Sequence, residues 1–220
     1  MFSDELIVKL SVTGKLDGIK SWSLQAIETC PGSIGVDGEL VDACKGCYAT
    51  IGNYCYPSPK KTRADNKIAW QNNNFVALMV KALSIEKYFR LFDSGDFYSV
   101  DLAQKWYDIM LQSPTVKFWV PTRMHKFAKF NGVLTKMANL PNVSVRFSSD
   151  SVTGEYVSGL HGSTIIRDSE DVPEGIKVCN AYANAGKCNG CRNCWDKDIP
   201  VIGYVAHGLK MKKVYRLKSV

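Results

Sequence analysis

The chain reads as an α/β protein, either a partial (β/α) barrel or an open, mostly parallel sheet with cysteine-rich loops. Three observations predict this. Short β-like runs alternate with helical stretches, the pattern of βα units. No repeat, low-complexity tract or linker divides the 220 residues. At 45% hydrophobic content, the chain can bury one sizeable core. The expectation is one α/β domain over residues 1–220, with 179–195 as a C-terminal cysteine-rich metal-binding segment.

Each element follows from local pattern. A first strand is predicted at 23–29, ending at Cys30, and a Gly- and Cys-rich loop follows to about residue 60. Residues 64–87 read as one long helix, with Ile68, Ala69, Val76, Leu78, Met79, Leu83 and Ile85 apolar and no internal Pro or Gly. Strand 88–92 runs into Ser94-Gly95-Asp96, and helix 100–112 stops at Pro114. Strand 116–120 leads to Thr122-Arg123-Met124, and helix 126–139 is closed by Pro141. Strand 143–147 empties into Ser148-Ser149-Asp150. Shorter strands are predicted at 163–166, 175–178 and 201–205. In parallel sheets of either kind, ligands sit at the carboxyl ends of strands. The cysteines, Ser-Gly-Asp, Thr-Arg-Met and Ser-Ser-Asp all fall there.

No run of about 18 apolar residues exists, which argues against a membrane partner. The start carries Asp4 and Glu5 where a secretory leader would be basic and then apolar. A cytoplasmic location is therefore expected, where thiols stay reduced and eight cysteines call for metal rather than disulfides. The net charge of +7 invites a nucleic-acid partner. Clusters held by thiolates would offset much of it, since two at roughly −2 each leave about +3. The remaining basic segments, Lys60-Lys61-Thr62-Arg63 and the tail Lys210, Lys212, Lys213, Arg216 and Lys218, read as solvated surface.

The cysteines form two groups of four. Cys30, Cys44, Cys47 and Cys55 are spaced C-x13-C-x2-C-x7-C. The C-x2-C pair lets two thiolates face one centre across a turn that Gly46 is expected to relieve. Cys55 either completes this site or stands by, leaving an iron free for a small ligand. Cys179, Cys188, Cys191 and Cys194 are spaced C-x8-C-x2-C-x2-C. A C-x2-C-x2-C run wraps three corners of a cubane cluster, and structural zinc is the alternative occupant. Trp195 and Tyr182 would shield that site, or act as plain core aromatics. Asp93 and Asp96 could pair as carboxylates, with one serving a turn or cap instead. Arg123 could bind a carboxylate or phosphate, or else pair with Asp93 or Asp96. His125, His161 and His207 show no metal spacing. No His-Glu-x-x-His, phosphate-binding glycine loop or nucleophile elbow occurs, which argues against hydrolases and kinases.

The order strand, cysteine loop, helix, strand, Ser-Gly-Asp resembles the radical S-adenosylmethionine superfamily. The resemblance implies that Cys30, Cys44 and Cys47, with Tyr48 beside the last, hold a [4Fe-4S] cluster. It also implies that Ser94, Gly95 and Asp96 hold the cofactor's methionine, and that Ser148 and Asp150 contact its ribose or carboxylate. The last four cysteines are similar in placement to auxiliary-cluster extensions. The chain is also similar to a group of bacteriophage-encoded proteins sharing Cys30-Pro31-Gly32, the Cys44–Ala49 element and Cys191–Trp195. A phage origin would place it in the host cytoplasm.

The leading expectation is therefore a redox enzyme with one or two [4Fe-4S] clusters, S-adenosylmethionine as cofactor, Asp96 and Arg123 as catalytic residues and an electron donor as partner. The alternatives are a non-enzymatic cluster-bearing electron-transfer or binding module, and a zinc-stapled nucleic-acid binder.

Overall fold

The structure is a computed structural model that describes residues 8–168 and 172–218, the last three without side chains. The acidic start and the side chains of Arg216 and Lys218 lie outside the described residues. Among the described residues, eight strands form one sheet: β1 (Ser11–Val12), β2 (Lys20–Trp22), β3 (Tyr88–Leu91), β4 (Lys117–Thr122), β5 (Val143–Ser148), β6 (Gly162–Ile166), β7 (Ile176–Cys179) and β8 (Val201–Val205). Their order is β1-β2-β3-β4-β5-β6-β8-β7. Only β1 runs antiparallel, against β2. The sheet is open, so of the two expected architectures the mostly parallel open sheet is the one formed.

Among the described residues, six α-helices accompany it: α1 (Asp42–Lys45), α2 (Pro57–Ala69), α3 (Phe75–Leu83), α4 (Val100–Gln112), α5 (Ala128–Asn139) and α6 (Leu209–Lys218). Among the described residues, no helix is long and apolar enough to cross a membrane. Helix α4 matches its expected bounds because Leu102, Ala103, Trp106, Ile109 and Met110 form one buried stripe, and Ser99 Oγ accepts from Asp101 N at 3.2 Å.

Two expectations fail for local reasons. Residues 23–29 form no strand, with a turn over 26–29, and the strand lies just before them at Lys20–Trp22. Thr29 N and Oγ1 both donate to Gln25 O, and Ile27 takes φ +69°, a region costly for a β-branched residue. The single helix expected at 64–87 is two, α2 and α3. Pro57 opens the first, where its missing N–H costs nothing. The break falls at 70–74, where Asn72 Oδ1 accepts from Asn74 N at 2.8 Å. Lys105 then holds the break by donating to Trp70 O and Asn72 O.

Alternation along the strands sorts the two faces. Phe89, Leu91, Phe118, Val120, Val143, Val145 and Phe147 join the helix side chains in the main core. The opposite face carries Arg90, Trp119, Arg146 and Tyr204, and there the cysteine-rich residues 188–199 pack on the sheet. Trp195 lies edge-on to Trp119 at 5.1 Å and donates from Nε1 to Phe89 O at 2.9 Å. Arg146 has no exposed surface and holds this segment through four carbonyls: Cys194 O, Ile199 O, Asn193 O and Asp196 O, at 2.6–3.0 Å.

Candidate functional site

All the parallel strands end on one edge, and a cavity of about 430 Å³ opens there. Its wall includes Cys30, Cys44 and Cys47 from the first group and Cys179, Cys188 and Cys194 from the second. Residues some 150 positions apart in the sequence thus face one space.

The first group is built by three short segments. Ile27 O accepts from Cys30 N at 3.1 Å, so the left-handed turn at Ile27 aims Cys30 inward. Cys44 lies in α1, whose Ala43 N donates to Asp150 O at 3.0 Å, and Cys47 N donates back to Cys44 O. Gly46 serves a different end from the one expected of it. Its φ of −93° suits any residue, but a Cβ there would run into Met211 of α6, which covers the loop. The three thiols lie close enough to influence one another's ionisation. Burial, then the Asp96 charge, pushes Cys30 up to about 12. Burial raises Cys44 and Cys47 as well, against the pull of the Arg123 guanidinium. These groups are neutral thiols at pH 7 without a cation, and a metal would displace their protons.

Cys55 stands apart. It is exposed, does not line the cavity, and its Sγ donates to Thr50 O at 3.4 Å. In the second group, Cys188 feels Cys179 and Cys191, and Cys194 feels Cys179. Burial pushes Cys194 up to about 11, while the Tyr204 hydroxyl 3.2 Å from Sγ pulls the other way. Cys191 is exposed and outside the cavity wall. Trp195 is buried beside this group, whereas Tyr182 is exposed and stacks on His207 at the cavity wall.

Thiol donors suit either zinc or an iron–sulfur cluster. Among the described residues, no group of three or more His, Cys, Asp or Glu side chains is placed to hold a single ion. A zinc site closes all its thiolates on one ion with bonds of about 2.3 Å, whereas in a cluster each thiolate takes its own iron.

Ser94, Gly95, Asp96, Arg123 and Ser148 line the same cavity, and Asp150 does not. The 93–96 loop is zipped to the segment before Cys30: Leu24 N donates to Ser94 O, Ser94 Oγ to Leu24 O, and Asp96 N to Thr29 O. Gly95 has φ +84°, and a Cβ there would lie 2.6 Å from Leu24 Cβ. Gly95→Ala is therefore expected to cost at least about 2 kcal/mol, combining strain and overlap, read as a lower urea midpoint.

Asp96 is buried and accepts three bonds, from Phe97 N, Thr122 Oγ1 and Arg123 N, at 2.7–2.8 Å. Arg123 makes no side-chain pair with Asp93 or Asp96. Its Nη2 donates to Ser149 O at 2.8 Å, and its Nε lies 3.3 Å from Asp150 Oδ1. Asp93 is bound instead by Arg90 and Tyr54.

Burial raises the Asp96 carboxyl to about 6 from 3.8, against the pull of its hydrogen bonds. Between these values the folded state holds the proton that the unfolded state has lost, so stability falls as pH rises through 6. A shift of this size is worth roughly 3 kcal/mol at most. Urea midpoints of the metal-free protein are expected to drop from pH 4 to pH 7, and the Asp96→Asn variant to lose that slope.

Three features escaped the sequence reading: Arg146, the Arg90–Asp93–Tyr54 cluster, and the sharing of one cavity by both thiol groups. The local signal for Arg146 and Arg90 was a charged residue within the apolar alternation of β5 and of β3.

The fold and the cavity define a class: a mostly parallel α/β protein with two groups of thiols around one cleft at its strand ends. A family model described as Gene product 88 matches residues 4–209, and the chain belongs to that family. The match agrees with the likeness to bacteriophage-encoded proteins. It does not bear on the S-adenosylmethionine superfamily. No curated protein and no solved structure matches the chain.

Proposed function

We propose that this chain is an iron–sulfur redox enzyme resembling radical S-adenosylmethionine proteins. The observation that carries the reading is the convergence of Cys30, Cys44 and Cys47 on the strand-end cavity, with Cys55 outside it. Three thiolates on a four-iron cluster leave one iron for a further ligand. A cluster held there would supply one electron to bound S-adenosylmethionine, and an electron-donor partner would replace it.

The chain's own residues bind and orient. Ser94, Gly95 and Asp96 form a wall whose backbone is pinned to residues 24–29, so a ligand's polar groups would meet fixed partners. Asp96 acts through position, since its oxygens already hold Thr122, Phe97 and Arg123. Arg123 places a cation beside Cys44 and Cys47, which eases their ionisation. Asp150 lies outside the wall and steadies Arg123 and Lys126. The second group would hold a further cluster, or zinc.

The test is anaerobic reconstitution with iron and sulfide, followed by calorimetry with S-adenosylmethionine and assay for its reductive cleavage. Brown protein that binds the cofactor at micromolar levels and yields 5′-deoxyadenosine under strong reductant is expected. A loaded cluster without cofactor binding would replace the enzyme by a cluster-bearing electron-transfer or binding module. Colourless protein holding zinc alone would sink the proposal and favour a nucleic-acid binder.

A further inference from the structure

A line of side chains runs along the wall between the two thiol groups. Tyr48, next to Cys47 in the chain, accepts from Arg90 Nη2 at 3.0 Å. The Arg90 guanidinium lies 4.5 Å from the ring centre of Trp119. Trp119 stacks on Tyr204 at 6.5 Å and 29°, and the Tyr204 hydroxyl meets Cys194 Sγ at 3.2 Å. One end of this line is the chain neighbour of Cys47, and the other meets a thiol of the second group directly.

The geometry points to one coupled centre: the two cysteine groups are halves of a single site, and Arg90 is the positioning residue whose charge links them. The inference rests on the first group holding a cluster. It stands whether the second holds a cluster or zinc, because four thiolates around either carry about −2 in total.

The coupling is electrostatic. Reduction adds negative charge to a centre that is already anionic, so a nearby anion opposes it and a nearby cation favours it. Fields are weakly screened where water is excluded. The Arg90 side chain is only 12% exposed and rests on the Trp119 face, where a guanidinium is attracted to the ring. Asp93 pairs with Arg90, and its second oxygen is turned to Tyr54. The cation is thus the member of the pair that faces Trp119, Tyr204 and the second group.

The test is a potentiometric titration of the reconstituted protein, followed by electron paramagnetic resonance of the first centre, with iron, sulfide and zinc counted in every sample. Emptying the second group in Cys179→Ser/Cys188→Ser/Cys194→Ser is expected to raise the midpoint potential of the first centre. Arg90→Gln is expected to lower it, and Arg90→Lys, which keeps the charge, to stay near wild type. A first centre that is loaded but unmoved in both the triple-serine and Arg90→Gln proteins overturns the coupling alone. A first group that takes no iron overturns the coupling together with the proposed function. Should Arg90→Gln fail to fold, the triple-serine protein decides, since it leaves Arg90 in place.

Discussion

Arg146→Met is expected to release residues 193–199 from the sheet and, if the second thiol group holds a metal centre as proposed, to empty it. The side chain is buried, and its guanidinium donates to four carbonyls within that one short segment. Methionine would fill much of the volume and satisfy none of them. A hydrogen bond from a charged donor is worth about 1.5–3 kcal/mol, and the buried carbonyls left behind each carry a desolvation cost. These terms are not additive, so a loss of at least about 3 kcal/mol is the conservative figure. Lys197 still tethers the segment through Ala138 O and Leu140 O, and Trp195 through Phe89 O. The segment should therefore loosen rather than unfold the sheet. Urea unfolding would show the lost stability, and metal analysis would show the second site empty with the first still loaded. Full metal content with an unchanged midpoint would refute the anchoring role of Arg146.

Cys30→Ser is expected to abolish loading of the first site, while Cys55→Ser leaves it intact. Cys30 is pointed into the cavity by the turn at Ile27, and its thiol shares that space with Cys44 and Cys47. Cys55 is exposed, outside the cavity wall, and bonded to Thr50 O. With a cluster at the first site, Cys30→Ser should remove about four irons per chain and the associated visible absorption. Cys55→Ser should change neither. Equal losses in the two variants would make Cys55 a fourth ligand, and the first cluster would then have no iron left for a cofactor.

Much of the scaffold was legible because the signals that make an element are local. Helix α4 follows from the spacing of Leu102, Ala103, Trp106, Ile109 and Met110, and β8 coincides with its predicted residues 201–205. The eight cysteines and their spacings were equally plain, since both are written along the chain, whereas the places of Cys55 and Cys191 outside the cavity were not. Failures came where short-range hydrogen bonding overrode hydrophobic pattern. The Thr29–Gln25 turn replaced a strand, and the Asn72 turn cut a helix in two.

What belongs to the chain order alone is therefore the α/β class, most element positions and the spacing of the cysteines. The meeting of the two thiol groups was decided only in three dimensions. Parallel strands send every carboxyl end to one edge, and the open sheet leaves a face that residues 188–199 can cover. Arg146, pointing from the middle of β5, then draws Cys194 and its neighbours onto that face. No local pattern encodes such a contact, because its energy comes from partners about 50 residues apart that become neighbours only when the sheet has formed.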